Sequence, residues 1–338
     1  MKEKLNFNQY IFEKILTNYD LGMIKSYLQL QGWFNTSFLI ETENGKFVLK
    51  FFRPNSRVQE EIDFFFFLLS YLLNFGFPVY KTIPSKSGNL AFEVEILERT
   101  MKVAIFGFLP GEHKVYTEIK RVHLQEVGRV LRNLHETLKG FPKEKLLKVK
   151  SSQENFRQAL KRTHAQLTRN FSENYFCLSE EKINFFEQTW KDDYKNLLAL
   201  SPKLETKEFQ LIHGDFTTGN VVFTNDKISG ILDFDNARMG LVLEDLANTV
   251  GAWFLNAVEM DARICIHEIV RSYKEDYSSE DRRFLTILIK FYIWKQIAWA
   301  IGSPEVDYLE KQHRSSLKTF ERRYKEFVSL NYDKIFTN

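Results

Sequence analysis

The stretch LIHGDFTTGNVVFTNDKISGILDFDNARMGLVLEDLA, residues 211–247, holds the clearest structural signal in this chain. Two short segments rich in β-branched and apolar residues, 221–223 and 228–232, are separated by Asn-Asp-Lys at 225–227. Asparagine and aspartate favour tight turns, whereas β-branched and aromatic residues favour strands. We therefore predict that this part of the chain forms a β-hairpin.

Polar side chains stand at both ends of this hairpin. Asp215 and Asn220 precede the first strand, five residues apart, and Asp233 follows the second strand, eighteen residues after Asp215. This arrangement lets all three groups converge on one bound nucleotide. A positioned aspartate can accept a proton from a hydroxyl, and carboxylate and amide oxygens are ligands that Mg²⁺ accepts. The spacing therefore predicts a phosphoryl-transfer site.

The order of these motifs resembles a known family. HGDxxxxN, then ILDFDxAxxG and then DLA are similar to the aminoglycoside phosphotransferase and choline kinase family of small-molecule kinases. The resemblance implies an α+β, protein-kinase-like bilobal fold, with a small antiparallel-sheet lobe carrying one helix and a larger, mainly helical lobe. It also implies that Asp215 is the catalytic base, that Asn220 and Asp233 bind the metal, and that ATP and Mg²⁺ are the cofactors.

Other residues of the stretch admit more than one role. Taken alone, Asp215 could be an ordinary loop-capping residue. Its spacing from Asn220 and Asp233 favours a catalytic role instead. Asp235 lies in Asp-Phe-Asp where protein kinases have Asp-Phe-Gly, and it either contacts substrate or a second metal or is solvated. Asp245 resembles the family's buried aspartate that supports the catalytic loop, and His213 resembles a histidine that orients it.

The N-terminal part of the chain has the pattern of a small antiparallel lobe. Residues 32–52 alternate and turn at Glu-Asn-Gly, which predicts a hairpin. A helix rich in Phe and Leu is expected at about 58–75, followed by strands near 79, at 90–97 and at 103–108. We predict an N-lobe at 1–109 and a C-lobe at 110–338, with a helical insert at about 140–205.

The resemblance assigns an ion pair to this lobe. Lys50, at the end of a predicted strand, would reach the nucleotide phosphates, and Glu61 on the next helix would be its partner. A solvated edge lysine is the alternative for Lys50. Glu60 and Glu61 are separated by roughly 100° of helical rotation, so only one of them can face Lys50. The run from Glu61 through FFFFLLSYLLNFG to Gly76 resembles the homoserine-kinase branch of the family.

Further nucleotide contacts follow from the same resemblance. The family's hinge falls at residues 105–113, where backbone groups of Gly107 and Leu109 would bind the adenine and Phe106 would form an apolar wall. The nucleotide phosphates would lie beneath the turn at residues 32–38, where Asn35 either touches them or is a plain turn residue.

Composition narrows the classes of protein. The chain has 338 residues, 44% of them hydrophobic, with 47 basic and 44 acidic side chains and a net charge of +3. This balance gives no reason to expect nucleic acid or a membrane surface as a partner.

Cys177 and Cys265 are far apart and form no metal motif, and no secretory leader is expected, so a cytosolic location fits. The apolar run at 64–77 is too short to span a bilayer, and the run at 284–302 contains Lys290 and Lys295, so we predict core helices.

The sequence therefore predicts a cytosolic ATP-dependent kinase of a small hydroxylated metabolite. We favour an amino alcohol or hydroxy amino acid such as homoserine, because residues 241–338 contain fifteen acidic and fourteen basic residues and lack the acidic excess that a polycationic antibiotic requires. Asp235 would hold the substrate amine and Trp253 would line the site. An aminoglycoside-type antibiotic kinase and a non-catalytic nucleotide-binding pseudokinase are the alternatives, and loss of a motif residue, which would favour the latter, is not seen. The oligomeric state stays open.

Overall fold

The computed structural model describes residues 7, 9–30, 36–52, 58–96, 99–146, 156–173, 179–204, 206–302 and 319–330. They form two compact units. The first takes the described residues of Met1–Gly111, Pro142–Ser151 and Ser229–Leu232, and the second those of Glu112–Phe141, Ser152–Ile228 and Asp233–Asn338.

The first unit is built on an antiparallel sheet. Its strands are β1 (Ile24–Leu30), β2 (Thr36–Thr42), β3 (Gly45–Phe52), β4 (Thr82–Ile83), β5 (Phe92–Ile96) and β6 (Arg99–Gly107). They run in the order β1-β2-β3-β6-β4, and β5 also pairs with β6. The predicted hairpin is β2 and β3, which pair from Thr42 opposite Gly45 to Thr36 opposite Phe51. Gly45 has φ +135°, a conformation that suits glycine in a tight turn.

Two long helices accompany this sheet, where the resemblance implied one. They are α1 (Gln9–Leu16) and α2 (Gln59–Asn74), and the short α4 (Lys143–Leu146) belongs to the same unit. α1 buries Phe12, whose ring lies 4.8 Å from that of Phe38 on β2. The Phe-rich helix predicted at 58–75 is α2, and Phe65 and Phe66 pack with Phe106 of β6 in an aromatic cluster. Burial of these aromatic rings therefore stabilises the packing of both helices on the sheet.

The second unit is mainly helical. Its helices are α3 (Arg121–Lys139), α5 (Phe156–Glu173), α6 (Glu180–Leu204), α7 (Val242–Asn256), α8 (Ala262–Tyr273), α9 (Ser279–Gly302) and α10 (residues 319–329). Helices α4, α5 and α6 account for the predicted helical insert. Two small sheets flank the motif residues: β7 (Phe209–Ile212) with β10 (Arg238–Leu241), and β8 (Val221–Thr224) with β9 (Lys227–Ile231), whose residues from Ser229 onward belong to the first unit.

The β8–β9 hairpin is the one that residues 221–232 predict. Asn225 and Asp226 at its tip both have positive φ, +50° and +58°. This pair of left-handed residues defines a two-residue turn whose twist matches that of the strands. The predicted core helix at 284–302 is also confirmed as the later part of α9, with Ile293 and Trp294 fully buried. Among the described residues, no helix combines the length and apolarity that crossing a bilayer demands.

Helices α3 and α8 approach each other closely at Gly128. A Cβ on this residue would lie 2.3 Å from the carbonyl oxygen of Ile269, well inside contact distance. The absence of a side chain therefore sets the spacing between these helices. The approach also brings His135 of α3 to Tyr273 of α8, whose hydroxyl lies 2.8 Å from the histidine Nδ1.

Buried polar side chains connect α6, α9 and α10. Asp193 of α6 accepts hydrogen bonds from Lys290 and Trp294 of α9 (3.1 and 2.9 Å) and from the Tyr324 hydroxyl of α10. Arg323 of α10 donates to the Phe254 and Ala257 carbonyls at the end of α7, at 2.7 and 3.1 Å. Because the last carbonyls of a helix have no partner within it, this arginine satisfies the C-terminal end of α7.

Candidate active site

The pairing of β7 with β10 explains why the two motif loops meet. Ile212, the last residue of β7, pairs with Arg238, the first residue of β10. The chain that leaves β7 and the chain that enters β10 therefore lie side by side. The first carries Asp215, and the second carries Asp233 and Asp235.

A buried carboxylate on α7 holds the first loop in place. Asp245 is fully buried, and its two oxygens accept hydrogen bonds from the backbone N–H groups of His213 (3.0 Å) and Gly214 (2.9 Å). His135 Nε2 donates to the same carboxylate at 3.0 Å. Burial raises the pKa of Asp245, but the hydrogen bond of His135 and the charges of His135, His213 and Arg238 together outweigh burial, and the net pKa is lowered. The support role that the resemblance implied for Asp245 is confirmed.

His213 fixes the next step of the loop. Its ring is fully buried, lies 4.5 Å from that of Phe234, and its Nδ1 accepts the backbone N–H of Asp215 at 3.2 Å. Gly214 adopts φ +79° between them, and a Cβ there would lie 2.2 Å from Arg238 Nη1 and 2.5 Å from the Asn236 carbonyl oxygen. Glycine is therefore required by both conformation and space.

The Asp215 carboxylate lies at the end of this supported loop. The Asn220 amide donates both to the Asp215 side-chain oxygen and to its carbonyl, each at 2.9 Å, and the Asn236 amide lies 3.5 Å from the same carboxylate. Asn220 ends the 3₁₀ turn Thr218–Asn220, which returns the chain towards Asp215 before β8 begins. The structure thus brings Asp215 and Asn220 into direct contact.

Burial and a second carboxylate act on Asp215. Burial comes first, the charge of Asp233 second, and together they raise the pKa of Asp215 from 3.8 to about 6, although the Asn220 hydrogen bond opposes them. A neighbouring carboxylate charge disfavours ionisation, so part of this rise in pKa comes from Asp233. Asp233 itself adopts the left-handed conformation, φ +56° and ψ +62°, at the start of the 3₁₀ turn Phe234–Asn236. Aspartate tolerates this conformation better than most residues, and it redirects the chain into that turn.

The donor set suits a hard divalent cation. The Asn220 amide nitrogen faces Asp215, so its carbonyl oxygen lies at the opposite end of the group, and Asp233 offers a carboxylate. Among the described residues, no cluster of three or more His, Cys, Asp or Glu side chains has metal-binding geometry. Mg²⁺ is commonly held by one or two side-chain oxygens together with water and phosphate, so Asn220 and Asp233 fit it.

One basic group that the sequence analysis did not assign to the site contacts α7, the helix that carries Asp245. Lys295, half-buried on α9, donates to the Asn248 side-chain oxygen of α7 at 3.3 Å. Arg238 forms an ion pair with Glu244 at 3.1 Å. Burial lowers the pKa of Lys295, the charges of Glu244 and Asp215 raise it, and those of Arg238 and Arg162 lower it. The signal in the sequence was a lysine within the mainly apolar part of α9, which also contains Lys290.

The residues predicted to bind nucleotide in the first unit are placed as follows. Lys50 pairs with Ser37 and Ala104 in the sheet, its side chain is only 7% exposed, and its ammonium lies 5.2 Å from the centre of the Phe65 ring. A solvated edge lysine is therefore excluded. The Glu61 carboxylate accepts the Val58 backbone N–H at 3.3 Å at the start of α2. Pairing of Lys50 with Glu61 stays a prediction.

The hinge prediction needs one correction. Phe106 is buried in the cluster with Phe65, Phe66 and Tyr80, so its ring has no free face for an adenine. The Gly107 backbone N–H donates to the Lys81 carbonyl at 2.8 Å. Leu109 follows β6 and is half-buried.

The remaining predicted residues are placed as follows where the structure describes them. Asn35 lies outside the described residues. Trp253 is fully buried and packs against Phe223, with ring centres 6.0 Å apart, so it has no surface that a substrate could contact. Asp235 is half-buried in the turn after Asp233.

With this geometry established, comparison with known proteins defines the class. The family described as "Phosphotransferase enzyme family" matches residues 28–282, about three quarters of the chain. The chain belongs to this family and is an enzyme that phosphorylates a hydroxyl group of a small molecule.

Two individual relatives of this chain are homoserine kinases. The chain is 24% identical over 328 residues to a homoserine kinase of Rhizobium meliloti (strain 1021), covering 91% of this chain and 93% of the relative. It is 28% identical over 248 residues to a homoserine kinase of Caulobacter vibrioides (strain NA1000 / CB15N), covering 72% and 71%.

Solved structures share the fold. Amicoumacin kinase hAmiN, in complex with AMP-PNP, Ca²⁺ and Ami, superposes with a TM-score of 0.68 at 13% identity and covers 97% of each chain. A microcompartment-associated aminopropanol kinase gives 0.61 at 16% identity, covering 98% of this chain and 99% of that one. Spectinomycin phosphotransferase APH(9)-Ia gives 0.63 at 17% identity and covers 98% of each. The protein-kinase-like fold expected from the sequence is confirmed.

Proposed function

We propose that this enzyme transfers the γ-phosphoryl group of ATP to the hydroxyl of a small hydroxy amino acid, with homoserine as the favoured substrate. The observation that carries the proposal is the Asp215 carboxylate, held by Asn220 at the end of a loop that Asp245 fixes through two backbone hydrogen bonds. The homoserine kinases that match most of the chain support the substrate class.

The proposed reaction is a direct displacement. The substrate hydroxyl donates a hydrogen bond to the Asp215 carboxylate, its oxygen forms a bond to the γ-phosphorus, and the bond from that phosphorus to the leaving ADP oxygen breaks. Asp215 takes the proton as the new bond forms. Correct placement of the hydroxyl supplies much of the rate, since phosphoryl transfer depends on alignment and on stabilisation of charge.

Asn220 and Asp233 are the proposed metal-binding residues. A bound Mg²⁺ would neutralise charge on the phosphate oxygens. The amide that positions Asp215 with its nitrogen end would hold the cation with its oxygen end. Asn220 would then couple metal binding to the orientation of the base.

Three other residues complete the proposal. Lys50 would neutralise the nucleotide phosphates, and Glu61 would orient Lys50. Asp235 would bind the substrate ammonium group. A cytosolic location also belongs to this proposal, since the expected substrate and nucleotide are soluble metabolites.

The first test removes the proton acceptor. Asp215→Asn keeps an oxygen that can accept the Asn220 hydrogen bond, so the loop should stay folded and nucleotide binding should persist. We expect kcat to fall by roughly 10² or more, because a positioned proton acceptor contributes that much to rate. Turnover within threefold of the unmodified enzyme on its best substrate would rule out Asp215 as the base.

The second test identifies the substrate class. Homoserine, related hydroxy amino acids, choline and kanamycin-type compounds are compared at equal concentration by ADP release, with kcat/KM measured for each. We expect homoserine or another hydroxy amino acid to give the highest value. An aminoglycoside with a value about a hundredfold higher, a difference of about 2.7 kcal/mol in transition-state binding, would contradict the proposal. Absence of ATP consumption with every compound would favour a non-catalytic protein.

A further inference from the structure

The half-buried Lys295 on α9 has an unusual set of neighbours. Among the described residues, its ammonium forms one hydrogen bond, to the neutral side-chain oxygen of Asn248, and it has no carboxylate within ion-pair distance. A lysine ammonium has three donors. Charged groups in protected positions are normally paired, because taking a charge from water without a partner costs free energy.

A second basic group near Lys295, Arg238, is already paired. Arg238 is paired with Glu244, and its Nη1 lies 3.4 Å from the Asn236 carbonyl oxygen. Glu244 influences Lys295 through its charge, but its carboxylate is used by Arg238. Of these two cations, Lys295 is the one with donors left for a ligand.

The lysine is held in position before any ligand arrives. Its ammonium lies 5.5 Å from the centre of the Phe291 ring and 5.6 Å from that of Tyr292, both on its own helix. Asn248 holds it from α7, the helix that also carries Asp245. Ring faces attract cations, and fixed partners on two helices restrict the side chain. Binding an anion here therefore costs little ordering of the lysine.

The position of Lys295 relates it to the reacting group. Asn248 lies three residues after Asp245 on α7, so Lys295 contacts the face of α7 that also holds the backbone of the Asp215 loop, and the Asp215 charge acts on Lys295. Burial lowers the pKa of Lys295, the largest effect on this group, so the charged form is held at a cost in the free enzyme. An anionic ligand beside it would offset that cost.

We infer that Lys295 binds the α-carboxylate of the acceptor, and so selects amino-acid alcohols over amino alcohols that lack a carboxylate. This inference rests on the proposed function, because it concerns the acceptor of the same reaction. The carboxylate would accept hydrogen bonds from the ammonium, while the substrate hydroxyl reaches Asp215. Charge-assisted hydrogen bonds of this kind are short and strong.

The test compares two acceptors and several variants. Homoserine and 3-aminopropan-1-ol share the hydroxyl, the carbon chain and the amine, and only homoserine has the carboxylate. Lys295→Met keeps a long apolar side chain and removes the charge, and Lys295→Arg restores a cation. Lys290→Met is the matched control, since it removes a lysine from the same helix whose partner is the protein carboxylate of Asp193.

We expect Lys295→Met to lower kcat/KM for homoserine by roughly 10- to 100-fold, mainly through KM, and to leave 3-aminopropan-1-ol within threefold. Lys295→Arg should recover part of the loss, and Lys290→Met should not change the ratio between the two acceptors. The KM for ATP should be unchanged in Lys295→Met. If that variant does not fold, as judged by circular dichroism, Lys295→Gln is measured in the same way.

The outcomes distinguish failure of the inference about Lys295 from failure of the proposed substrate class. If the unmodified enzyme uses homoserine and Lys295→Met lowers both acceptors equally or raises the KM for ATP, Lys295 acts on the phosphoryl group or on the fold, and the inference is overturned alone. Unchanged homoserine kinetics in the variant overturn it too. If the unmodified enzyme phosphorylates no carboxylate-bearing alcohol, the proposed substrate class fails and the inference fails with it.

Discussion

Replacing Asp245 with asparagine tests whether the fold positions the catalytic loop through a single buried carboxylate. One oxygen of Asp245 accepts from Gly214, and the other from His213 and His135. Asparagine keeps one acceptor but turns an N–H₂ group towards a backbone N–H. The variant therefore loses one charge-assisted hydrogen bond, weakens two more and leaves a buried donor without a partner.

The expected cost in stability follows from these contacts. Hydrogen bonds to charged groups contribute about 1.5–3 kcal/mol each, and breaking a buried charged pair costs about 3–5 kcal/mol. We expect Asp245→Asn to lose about 3–5 kcal/mol of unfolding free energy at pH 7. Because the folded-state pKa of Asp245 lies below 3.8, this contribution is present above pH 3.8 and is lost as pH falls further. The gap between the two proteins should therefore narrow in acid.

A second buried carboxylate provides the matched control. Asp193 has the same arrangement, with one oxygen accepting from Lys290 and the other from Trp294 and Tyr324, but it supports helices and no motif loop. Asp193→Asn should lose a similar amount of stability. Only Asp245→Asn should lower kcat, by roughly 10², because a displacement of about 1 Å of the base costs that much.

The assay combines urea denaturation from pH 3 to pH 8 with steady-state kinetics below the unfolding transition. Equal loss of kcat in both variants would show that lowered stability alone explains the effect. Unchanged kcat in Asp245→Asn, with the expected loss of stability, would refute the idea that this carboxylate positions the base.

The remaining predictions concern the metal, the nucleotide and the helix packing. Asp233→Ala should abolish magnesium-dependent nucleotide binding, and calorimetry that shows the same magnesium dependence as the unmodified enzyme would contradict this. Lys50→Ala should raise the KM for ATP and lower kcat together, and Glu61→Ala should give a milder version, whereas a purely structural Lys50 would change stability alone. Gly128→Ala should lower the unfolding free energy by about 1–3 kcal/mol, because its Cβ would overlap a backbone carbonyl of α8. Gly219→Ala, in open space, is the control, and equal melting temperatures for the two variants would refute the packing argument.

Local signals in the sequence were sufficient to predict structure formed by residues that are close together in the chain. The Asn225-Asp226 turn fixes the β8–β9 hairpin, since both residues adopt positive φ as such a turn requires. The motif order places Asp215 before this hairpin and Asp233 after it, and Asp245 thirty residues beyond Asp215 supports the loop as the family resemblance implied.

Local sequence signals could not predict contacts between segments that lie far apart in the chain. Lys295 lies sixty-two residues after Asp233 and contacts α7 only because α9 packs on that helix. β1 has no alternating burial, since most of its residues are exposed, and no period-2 pattern marked it as a strand. Phe106 and Trp253 are aromatic residues that serve packing, and composition alone cannot separate such a role from ligand contact.

The crowding at Gly214 has a consequence for directed evolution of this enzyme. Two separate groups occupy the space of a Cβ there, the mobile Arg238 guanidinium and the fixed Asn236 carbonyl, and the backbone has φ +79°. A compensating change at position 238 would remove one obstruction and leave the other. Gly219, five residues further along the same loop, faces open space. A mutant library aimed at new acceptors should therefore leave codon 214 untouched and can diversify codon 219 freely.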